Sequence, residues 1–449
     1  METVYDIKQY GAIGDGKFNN ASAIQQAIDL CHENGGGQVV IPPGIYLSGS
    51  LRLKSNIHLH LQQGAVLRCS LKREDIHAFD DPAMNGDYLE EWNAGCFIGA
   101  WHAENITISG AGTIDGQGRE ILYDDGADGG FHEAPLMIKG FRPRLILLED
   151  VKNLTVKGVT LWDAAFWTLH LAGCSQVRIH NLRILNNTRG ANNDGIDPDC
   201  CQDVIISNCT VKTGDDAIVI KSTQPMAERY GNCENIIVTG CLLKSQDSAL
   251  KIGTDTYGAI RNVLFSDCII EDCSRAVGIW ARDGGTVENV QVHHLVGAVR
   301  RYADAPQREF APRWWGKGEP LFISATYRTP ENRFPGLIRN IEFDHINLKS
   351  EAGIFIAAEE SCPIENVSLH ELDLTLEKQG SQPGGLFDEQ PSVRNVYPHA
   401  IPAVYARYVN GLRLKECRVR KAKPHMEHWS GLIETENCRD LTLDIKEMP

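Results

Sequence analysis

The segment DVIISNCTVKTGDDAIVIK, residues 203–221, decides the fold, because its pattern returns as NIIVTGCLLKSQDSALKIG at residues 235–253. In both segments a polar residue is followed by apolar residues at offsets one, three and six, and a second apolar stretch follows a short polar turn. Alternation with a period of two is typical of β-strands, whereas an amphipathic helix repeats about every 3.6 residues. Each unit of the repeat therefore predicts short strands joined by turns.

This pattern begins at eight places in the chain, and its starts are separated by 23, 27, 32, 27 and 27 residues, then by one double-length gap, and last by 26 residues. The eight starts are Asn153, Gln176, Asp203, Asn235, Asn262, Asn289, Asn340 and Asn366. Strands repeated at this distance fit a solenoid, in which each coil buries its apolar face against its neighbours. We therefore predict an all-β protein, a single-domain right-handed parallel β-helix that comprises residues 1–449.

Two regions depart from the regular repeat. Residues 1–50 are predicted to form an N-terminal cap region with a helix, because Ile24, Ala27 and Ile28 have helical spacing. Such a helix protects the strand edges that an open solenoid end exposes. Residues 298–338 are predicted to be a loop insertion near the cleft, because insertions in solenoids usually project from one face.

The composition limits the possible partners. A formal charge of −15 argues against nucleic acid and anionic membranes, and a polyanionic substrate would need a locally basic cleft. The fourteen cysteines form no Cys-x-x-Cys pair, so we expect small buried side chains rather than zinc ligands. The sequence shows no signal peptide and no apolar run that could span a bilayer, which predicts a cytoplasmic location. It does not predict an oligomeric state.

Three carboxylates are the candidate catalytic groups: Asp194 in NNDGID (residues 192–197), and Asp215 and Asp216 in GDDA (residues 214–217). Alignment of the strands that follow these turns predicts that Asp194 stacks beside Asp216 in the next coil. Neighbouring like charges raise one another's proton affinity, so one carboxyl can keep its proton while another is ionised. Hydrolysis of a glycosidic bond requires such a pair. The alternative is that each motif only forms a turn.

These motifs resemble glycoside hydrolase family 28, the polygalacturonase family. NNDGID is similar to the family's Asn-Thr-Asp-Gly-Ile-Asp signature, and GDDA followed by IKS (residues 220–222) is similar to its Gly-Asp-Asp segment. Three more segments resemble its bacterial members: YGAIGDG (residues 10–16), GAGTIDG (residues 110–116) and WTLH (residues 167–170). The resemblance covers roughly residues 5–300, with the motifs in the family's order.

The resemblance implies a pectin-lyase-like β-helix and a hydrolase that inverts the anomeric configuration. Asp215 would be the general acid, and Asp194 and Asp216 would activate water on the opposite face of the sugar. Acid and base would lie about 6.5–9.5 Å apart to admit that water. The resemblance implies no metal and no other cofactor.

The chain departs from the family pattern at two segments. The family's Gly-His-Gly segment is replaced by QDSA (residues 246–249), and its Arg-Ile-Lys segment, which binds galacturonate carboxylates, is replaced by Gly278, Ile279 and Trp280. Trp280 would offer a flat surface to a neutral or deoxygenated sugar. Alternatively, Lys251 and Arg282 would bind a carboxylate in another way. Asp247 would partner the acid in place of the missing histidine, or would only form a turn.

Four further residues are candidates for substrate binding. Lys221 lies on the outward face of the second strand with Trp280, and His170 lies in the coil before Asp194, where a structural role is the alternative. Trp314 and Trp315, in the insertion, suit carbohydrate stacking or packing onto the coils.

The sequence thus predicts an inverting glycoside hydrolase that acts on the ends of pectin-related oligosaccharides. Exo action follows from the interruptions at about residues 70–100 and 298–338, which could wall one end of the cleft. The alternatives are a polysaccharide lyase on the same fold and a non-catalytic glycan-binding β-helix.

Overall fold

A computed structural model describes residues 3–77, 95–126, 134–302, 316–422 and 428–449. The chain forms two compact units. The first comprises Met1–Asp125 and Leu136–Gly214, and the second comprises Gly126–Pro135 and Asp215–Pro449. In both units short strands pair in parallel with the strands of neighbouring coils, and the fold is the predicted right-handed parallel β-helix.

The coils of the first unit contribute to three parallel sheets, which we call A, B and C. Sheet A contains Val4–Asp6, Gly37–Ile41, Ile57–Leu61, the second halves of Cys96–Gly110 and Arg144–Lys157, Ser175–His180 and Gln202–Ser207. Sheet B contains Asp15–Asn19, Gly44–Ser48, Ala65–Cys69, Thr113–Asp115, Thr160–Trp162, Arg183–Leu185 and Thr210–Thr213. Sheet C contains Leu51–Arg52, the first halves of Cys96–Gly110 and Arg144–Lys157, Leu169–Ala172 and Ile196–Asp199. Leu122–Tyr123 and Met137–Ile138 form a separate antiparallel pair.

The second unit repeats this order, and the same letters denote the same place in the coil. Sheets A and B begin with Cys233–Thr239 and Leu242–Ser245 and continue through the long strands Ile260–Cys273, Thr286–Val299, Leu337–Ser350, Ile364–Leu376, Val409–Lys421 and Thr442–Met448. Sheet C contains Ile218–Ser222, Ser248–Thr256, Arg275–Ala281, Leu321–Ala325, Ile354–Ala358, Val404–Arg407 and Ile433–Glu436. Leu386–Asp388 and Val396–Pro398 pair antiparallel.

The repeat read from the sequence identifies the core. Each of the eight aligned segments has three predicted inward positions, and all of these side chains are at most 2% exposed. The positions at offset six, which include Cys241 and Cys268, lie at the bend between sheets A and B. Burial of every inward position shows that alternation along the strand decides which residues form the interior.

The polar residue that begins most repeats has a conformational role. Asn262, Asn289, Asn340 and Asn366 have φ angles of 57°, 56°, 57° and 55°, in the left-handed region that asparagine tolerates better than most residues. Their side-chain amides bond from coil to coil, with Nδ2 to Oδ1 distances of 3.0–3.3 Å that begin at Asn235. The asparagine therefore both turns the chain and ties adjacent coils.

The predicted N-terminal helix is present as Ala21–Glu33 and buries Ala23, Ile24, Ala27, Ile28 and Cys31. It packs on the first strands of sheet A, as a cap should. Short 3₁₀ helices include Ile7–Tyr10, Arg73–Asp75 and Gly118–Glu120. A second α-helix, Gln224–Tyr230, lies between a sheet C strand and the next sheet A strand and accounts for the 32-residue spacing in the repeat.

The predicted insertion at residues 298–338 contains a regular strand. Leu321–Ala325 belongs to sheet C and pairs with Arg275–Ala281 on one side and Ile354–Ala358 on the other. Trp314 and Trp315 lie outside the described residues. None of the helices within the described ranges is both long and apolar enough to cross a bilayer.

Candidate active site

The acidic residues predicted for the site in the second unit lie in turns that lead into sheet C. Asp215 and Asp216 precede Ile218–Ser222, and Asp247 precedes Ser248–Thr256 in the next coil. Ile218 pairs with Leu250, and the amide of Ala217 donates to the carbonyl of Ser248 at 2.9 Å. This register brings Asp216 next to Ser248 and Asp215 next to Asp247.

Ser245 joins the two acidic turns. Its Oγ donates to the backbone carbonyl of Asp215 at 2.7 Å and accepts from the amide of Asp247 at 2.8 Å. A serine two residues before an aspartate is a common turn pattern, but its bond to the preceding coil was not predicted from the sequence. The turn of Asp215 is therefore fixed by the coil that follows it.

Asp216 is held by the next coil through both carboxylate oxygens. Lys251 Nζ lies 2.6 Å from Asp216 Oδ2, and the amide of Ser248 donates to Oδ1 at 3.2 Å. The ion pair is almost fully buried, with side-chain exposures of 6% for Lys251 and 2% for Asp216. Lys251 is thus not a solvated lysine. Its ammonium group binds a carboxylate of the protein itself, that of Asp216.

The buried carboxyl of Asp247 has the most perturbed environment in this cluster. Burial and repulsion from Asp216 raise the pKa of Asp247 to about 8, against the opposing effect of Lys251. Ser248 Oγ donates to Asp247 Oδ1 at 3.0 Å. We call Asp215, Asp216, Asp247 and Lys251 the carboxylate–lysine cluster. A pKa of about 8 favours the protonated form of Asp247 near neutral pH. The expectation that one of Asp194, Asp215 and Asp216 keeps its proton stays a prediction.

The pKa of Lys251 also depends on two opposing effects, burial and nearby charges. Burial alone would lower the pKa of Lys251, but Asp216, Asp247 and Asp215 together raise it above its usual range. The lysine therefore stays charged throughout the physiological pH range. Asp215 is the half-buried member of the cluster, and its Oδ1 accepts from the amide of Asp216 at 2.9 Å.

Trp280 does not have the predicted role of an open sugar platform. Its side chain is 1% exposed, and its ring lies above Gly278, where a Cβ atom would come within 2.2 Å of the ring. The ring packs against Phe322 at 4.9 Å between centroids, with Lys251 Nζ 4.9 Å from the indole. Phe322 lies within the predicted insertion at residues 298–338, so this cover was not visible in the aligned repeat.

Arg282 was also predicted wrongly as a carboxylate ligand. It is fully buried and makes five hydrogen bonds with all of its nitrogens, to the carbonyls of Ala281, Ser324, Glu389 and Pro391 and to Ser324 Oγ. A guanidinium has five N–H donors, so this set uses its full capacity. Arg282 stabilises the segment 389–391 rather than a ligand.

Asp194 belongs to the first unit, where it precedes Ile196–Asp199 of sheet C. Its side chain is buried, and its backbone carbonyl accepts from the amide of Thr168 at 2.9 Å. Asn186 supports this turn, because its Nδ2 donates to the carbonyl of Asn193 at 2.9 Å and to Thr168 Oγ1 at 2.7 Å. The predicted stacking of Asp194 beside Asp216 stays a prediction.

Arg142 supports the same turn and was not a sequence candidate. It is fully buried, donates to the carbonyl of Ala191 at 2.7 Å and to Asn192 Oδ1 at 3.3 Å, and lies 4.7 Å from the centroid of the Phe166 ring. No repeat position marks Arg142, since it precedes the strand of its coil. The NNDGID turn is thus held from several sides by buried polar groups.

His170 has the structural role that was the alternative for it. It is buried, its Nε2 lies 3.5 Å from Asp199 Oδ2, and its ring meets Trp167 edge to face at 4.8 Å. The substrate-binding role predicted for His170 stays a prediction. Lys221 is buried within Ile218–Ser222, and its role in binding stays a prediction.

Among the described residues of the second unit, two groups have side chains that could hold a metal ion. His370, Glu371 and Glu416 form one, and His399, Glu434 and Glu436 form the other, with ligand atoms within 4.8 Å of one another in each group. Both groups are half-buried or exposed and are separate from the carboxylate–lysine cluster.

Comparison with known proteins agrees with this arrangement of motifs. The family model described as glycosyl hydrolases family 28 matches residues 31–296, which contain both acidic turns and Lys251. The chain belongs to glycosyl hydrolase family 28. A probable polygalacturonase of Vitis vinifera is 32% identical over 222 residues, which cover 47% of this chain and 43% of the relative. The chain spans about half the length of the curated relatives it matches.

Solved structures show the same fold for this family 28 chain. An exopolygalacturonase from Thermotoga maritima has a TM-score of 0.69 and 23% identity, covering 86% of this chain and 89% of that one. A family 28 exopolygalacturonase from Yersinia enterocolitica has a TM-score of 0.68 and 19% identity, covering 99% and 79%. The likeness confirms the predicted β-helix.

Proposed function

We propose that this protein is an inverting glycoside hydrolase that removes sugars from the ends of pectin-related oligosaccharides. The observation that carries the proposal is the carboxylate–lysine cluster, in which Lys251 forms a buried ion pair with Asp216 while burial and repulsion raise the pKa of Asp247, inside the segment matched by the family model. Carboxyl groups in different protonation states are the requirement for acid and base catalysis at one bond.

In this proposal Asp215 is the general acid. As the half-buried member of the cluster, it is the one whose carboxyl a sugar oxygen could reach. Its proton passes to the glycosidic oxygen as the bond between that oxygen and the anomeric carbon breaks. A water oxygen attacks the same carbon from the opposite face, and its proton passes to a carboxylate of the pair Asp194 and Asp216. The configuration is inverted because only one displacement occurs.

Two observations support cleavage at chain ends and a neutral sugar in the site. Both solved structures described above are of exopolygalacturonases, which supports cleavage at chain ends. Lys251 and Arg282 are both bound to protein groups, so neither of the cations predicted as a replacement uronate clamp is available for a sugar carboxylate. We therefore propose that the sugar nearest Gly278 is neutral, within an otherwise pectic oligosaccharide.

The experiment is incubation with a panel of defined pectic oligosaccharides, with NMR of the newly formed anomeric centre. We expect release of a terminal neutral sugar with inverted configuration, and loss of turnover by more than about a hundredfold in Asp215→Asn. The matched control is Asp267→Asn, which changes an exposed aspartate of the same unit. Full turnover by Asp215→Asn would refute the acid assignment. A product with ultraviolet absorbance would indicate a lyase, and binding without turnover would indicate a glycan-binding protein.

A further inference from the structure

Lys251 occupies an unusual place in sheet C. It pairs in register with Val219 on one side and with Gly278 on the other, and its ammonium group reaches back to Asp216 at 2.6 Å. Its coil supplies the second bond to Asp216 as well, through the amide of Ser248. Both oxygens of Asp216 are thus held by one neighbouring strand.

Gly278 and Trp280, from the segment that replaces the family's Arg-Ile-Lys, form the wall behind this lysine. Gly278 has no side chain, and the ring of Trp280 fills the space that a larger residue at 278 would occupy. The indole face lies 4.9 Å from Lys251 Nζ, within the range of a cation–π contact. Arg275 also lies near the ring, with its guanidinium carbon 5.1 Å from the indole centroid and its Nε 3.2 Å from Glu319 Oε2. Trp280 therefore packs against the charged end of Lys251.

Charged groups face Asp216 from its own coil and from the next. Asp215 adjoins it in sequence, Lys251 and Asp247 face it from the following coil, and Arg275 acts on Asp247 from the coil after that. Lys251 is the nearest of the positive groups, and a buried pair is screened much less than one in water. Its effect on Asp216 is accordingly expected to be strong.

We propose that Lys251, which packs against Trp280, is a positioning residue that keeps Asp216 ionised and oriented. Asp216 then aligns the attacking water, while Asp194 accepts the proton of that water. This inference rests on the proposed function and divides the work of its two water-activating carboxylates. A carboxylate that already binds an ammonium group is a weaker base, but its remaining lone pairs still accept a hydrogen bond from water. The proton balance is unchanged, since one proton leaves Asp215 and one reaches Asp194.

A second buried pair in the same unit provides the matched control. Lys317 Nζ lies 2.8 Å from Asp388 Oδ2, with side-chain exposures of 2% and 0%. Burial would raise the pKa of Asp388, but Lys317 and Arg275 hold it below its usual range. Lys317→Met removes a comparable buried charge at an ion pair that includes no member of the carboxylate–lysine cluster, so it controls for the loss of stability.

The test compares wild type, Lys251→Met, Lys251→Arg and Lys317→Met in two measurements. The first is the carboxyl titration of Asp216 by ¹³C NMR of labelled aspartate, with the resonance identified by its absence in Asp216→Asn. We expect Lys251→Met to move this titration upward by about 1–3 pH units, and Lys251→Arg and Lys317→Met to leave it in place. The second is the pH profile of kcat/KM, whose acid limb should move upward by the same amount in Lys251→Met only.

The outcomes separate this inference from the proposed function. An unshifted Asp216 titration in Lys251→Met overturns the inference, whether or not the protein hydrolyses any oligosaccharide. A shifted titration with an unchanged acid limb shows that the ionisation of Asp216 does not govern turnover, and overturns the catalytic part. Absence of hydrolysis by the wild type refutes the proposed function, while the NMR result still decides whether Lys251 keeps Asp216 ionised.

Discussion

At the scale of single residues, Asp247 replaces a histidine of the family pattern with a carboxyl group. It stands where the family pattern has the histidine of Gly-His-Gly, and burial keeps its carboxyl protonated near neutral pH. A protonated carboxyl can donate a hydrogen bond, as a histidine N–H can. The chain thus retains a donor at this place with a different side chain, and the neighbouring Lys251 limits the repulsion among three aspartates.

Asp247 should make the stability of the protein depend on pH. Its pKa is raised from 3.8 in the unfolded chain to about 8 in the folded protein, so the folded state binds more protons between these values. The stabilising contribution is complete below about pH 4 and is lost as the pH rises through about 8. We expect Asp247→Asn to remove this part of the pH dependence, on the order of a few kcal/mol, in urea unfolding at pH 5 and pH 8. An identical pH dependence in both proteins would contradict the buried, protonated state.

At the scale of strands, some coils approach so closely that only glycine fits. Gly297 pairs with Ile270 in the adjacent strand and has a φ of 142°, and a Cβ atom there would lie 2.0 Å from the carbonyl oxygen of Ile270. Two backbones in contact cannot separate without breaking the ladder between them. Gly297 is therefore a requirement of the coil stack rather than a point of flexibility.

Gly297→Ala should destabilise the protein by about 2–4 kcal/mol, since it adds both a steric clash and an unfavourable backbone conformation. Gly431→Ala is the control, because a Cβ atom at Gly431 meets nothing within 4 Å. Chemical denaturation of the two variants should give a large change for the first and a change below about 0.5 kcal/mol for the second. Similar effects from both would mean that loss of glycine flexibility, not contact between coils, decides stability.

The sequence predicted sheets A and C because their alternation survives in many aligned coils. Sheet B was only partly predicted, since strands such as Thr113–Asp115 and Thr160–Trp162 are too short to show a period. In the site, adjacency of Asp247 to Asp215 followed from the register alone. The burial of Trp280 and Arg282 did not, because their covers, Phe322 and residues 389–391, come from segments outside the regular repeat.

At the scale of the whole molecule, net charge should govern how substrates approach. The chain carries a formal charge of −15. Three cations of sheet C and the turns beside it are bound to protein groups: Lys251 to Asp216, Arg275 to Glu319, and Arg282 to backbone carbonyls. A polyanionic oligosaccharide therefore approaches a surface that repels it, whereas a neutral one does not.

We expect the KM for a charged pectic oligosaccharide to fall several-fold as ionic strength rises from about 0.01 M to about 0.15 M, because the Debye length shrinks from about 30 Å to about 8 Å. The kcat should change little, and the KM for an uncharged oligosaccharide should stay constant. Steady-state kinetics at a series of salt concentrations measures all three. A KM that rises with salt for the charged substrate would mean that attraction by a basic surface dominates the encounter.

The cysteines offer a way to observe how the solenoid comes apart. Thirteen of the fourteen are buried, and they recur from Cys31 to Cys417, with the partly exposed Cys438 near the end of the chain. Burial raises the pKa of Cys417 to about 11, and a protonated, covered sulfur reacts slowly with alkylating reagents. Each cysteine would be modified only after its own coil had opened. Mass spectrometry of samples quenched at successive times would therefore record which coils unfold first.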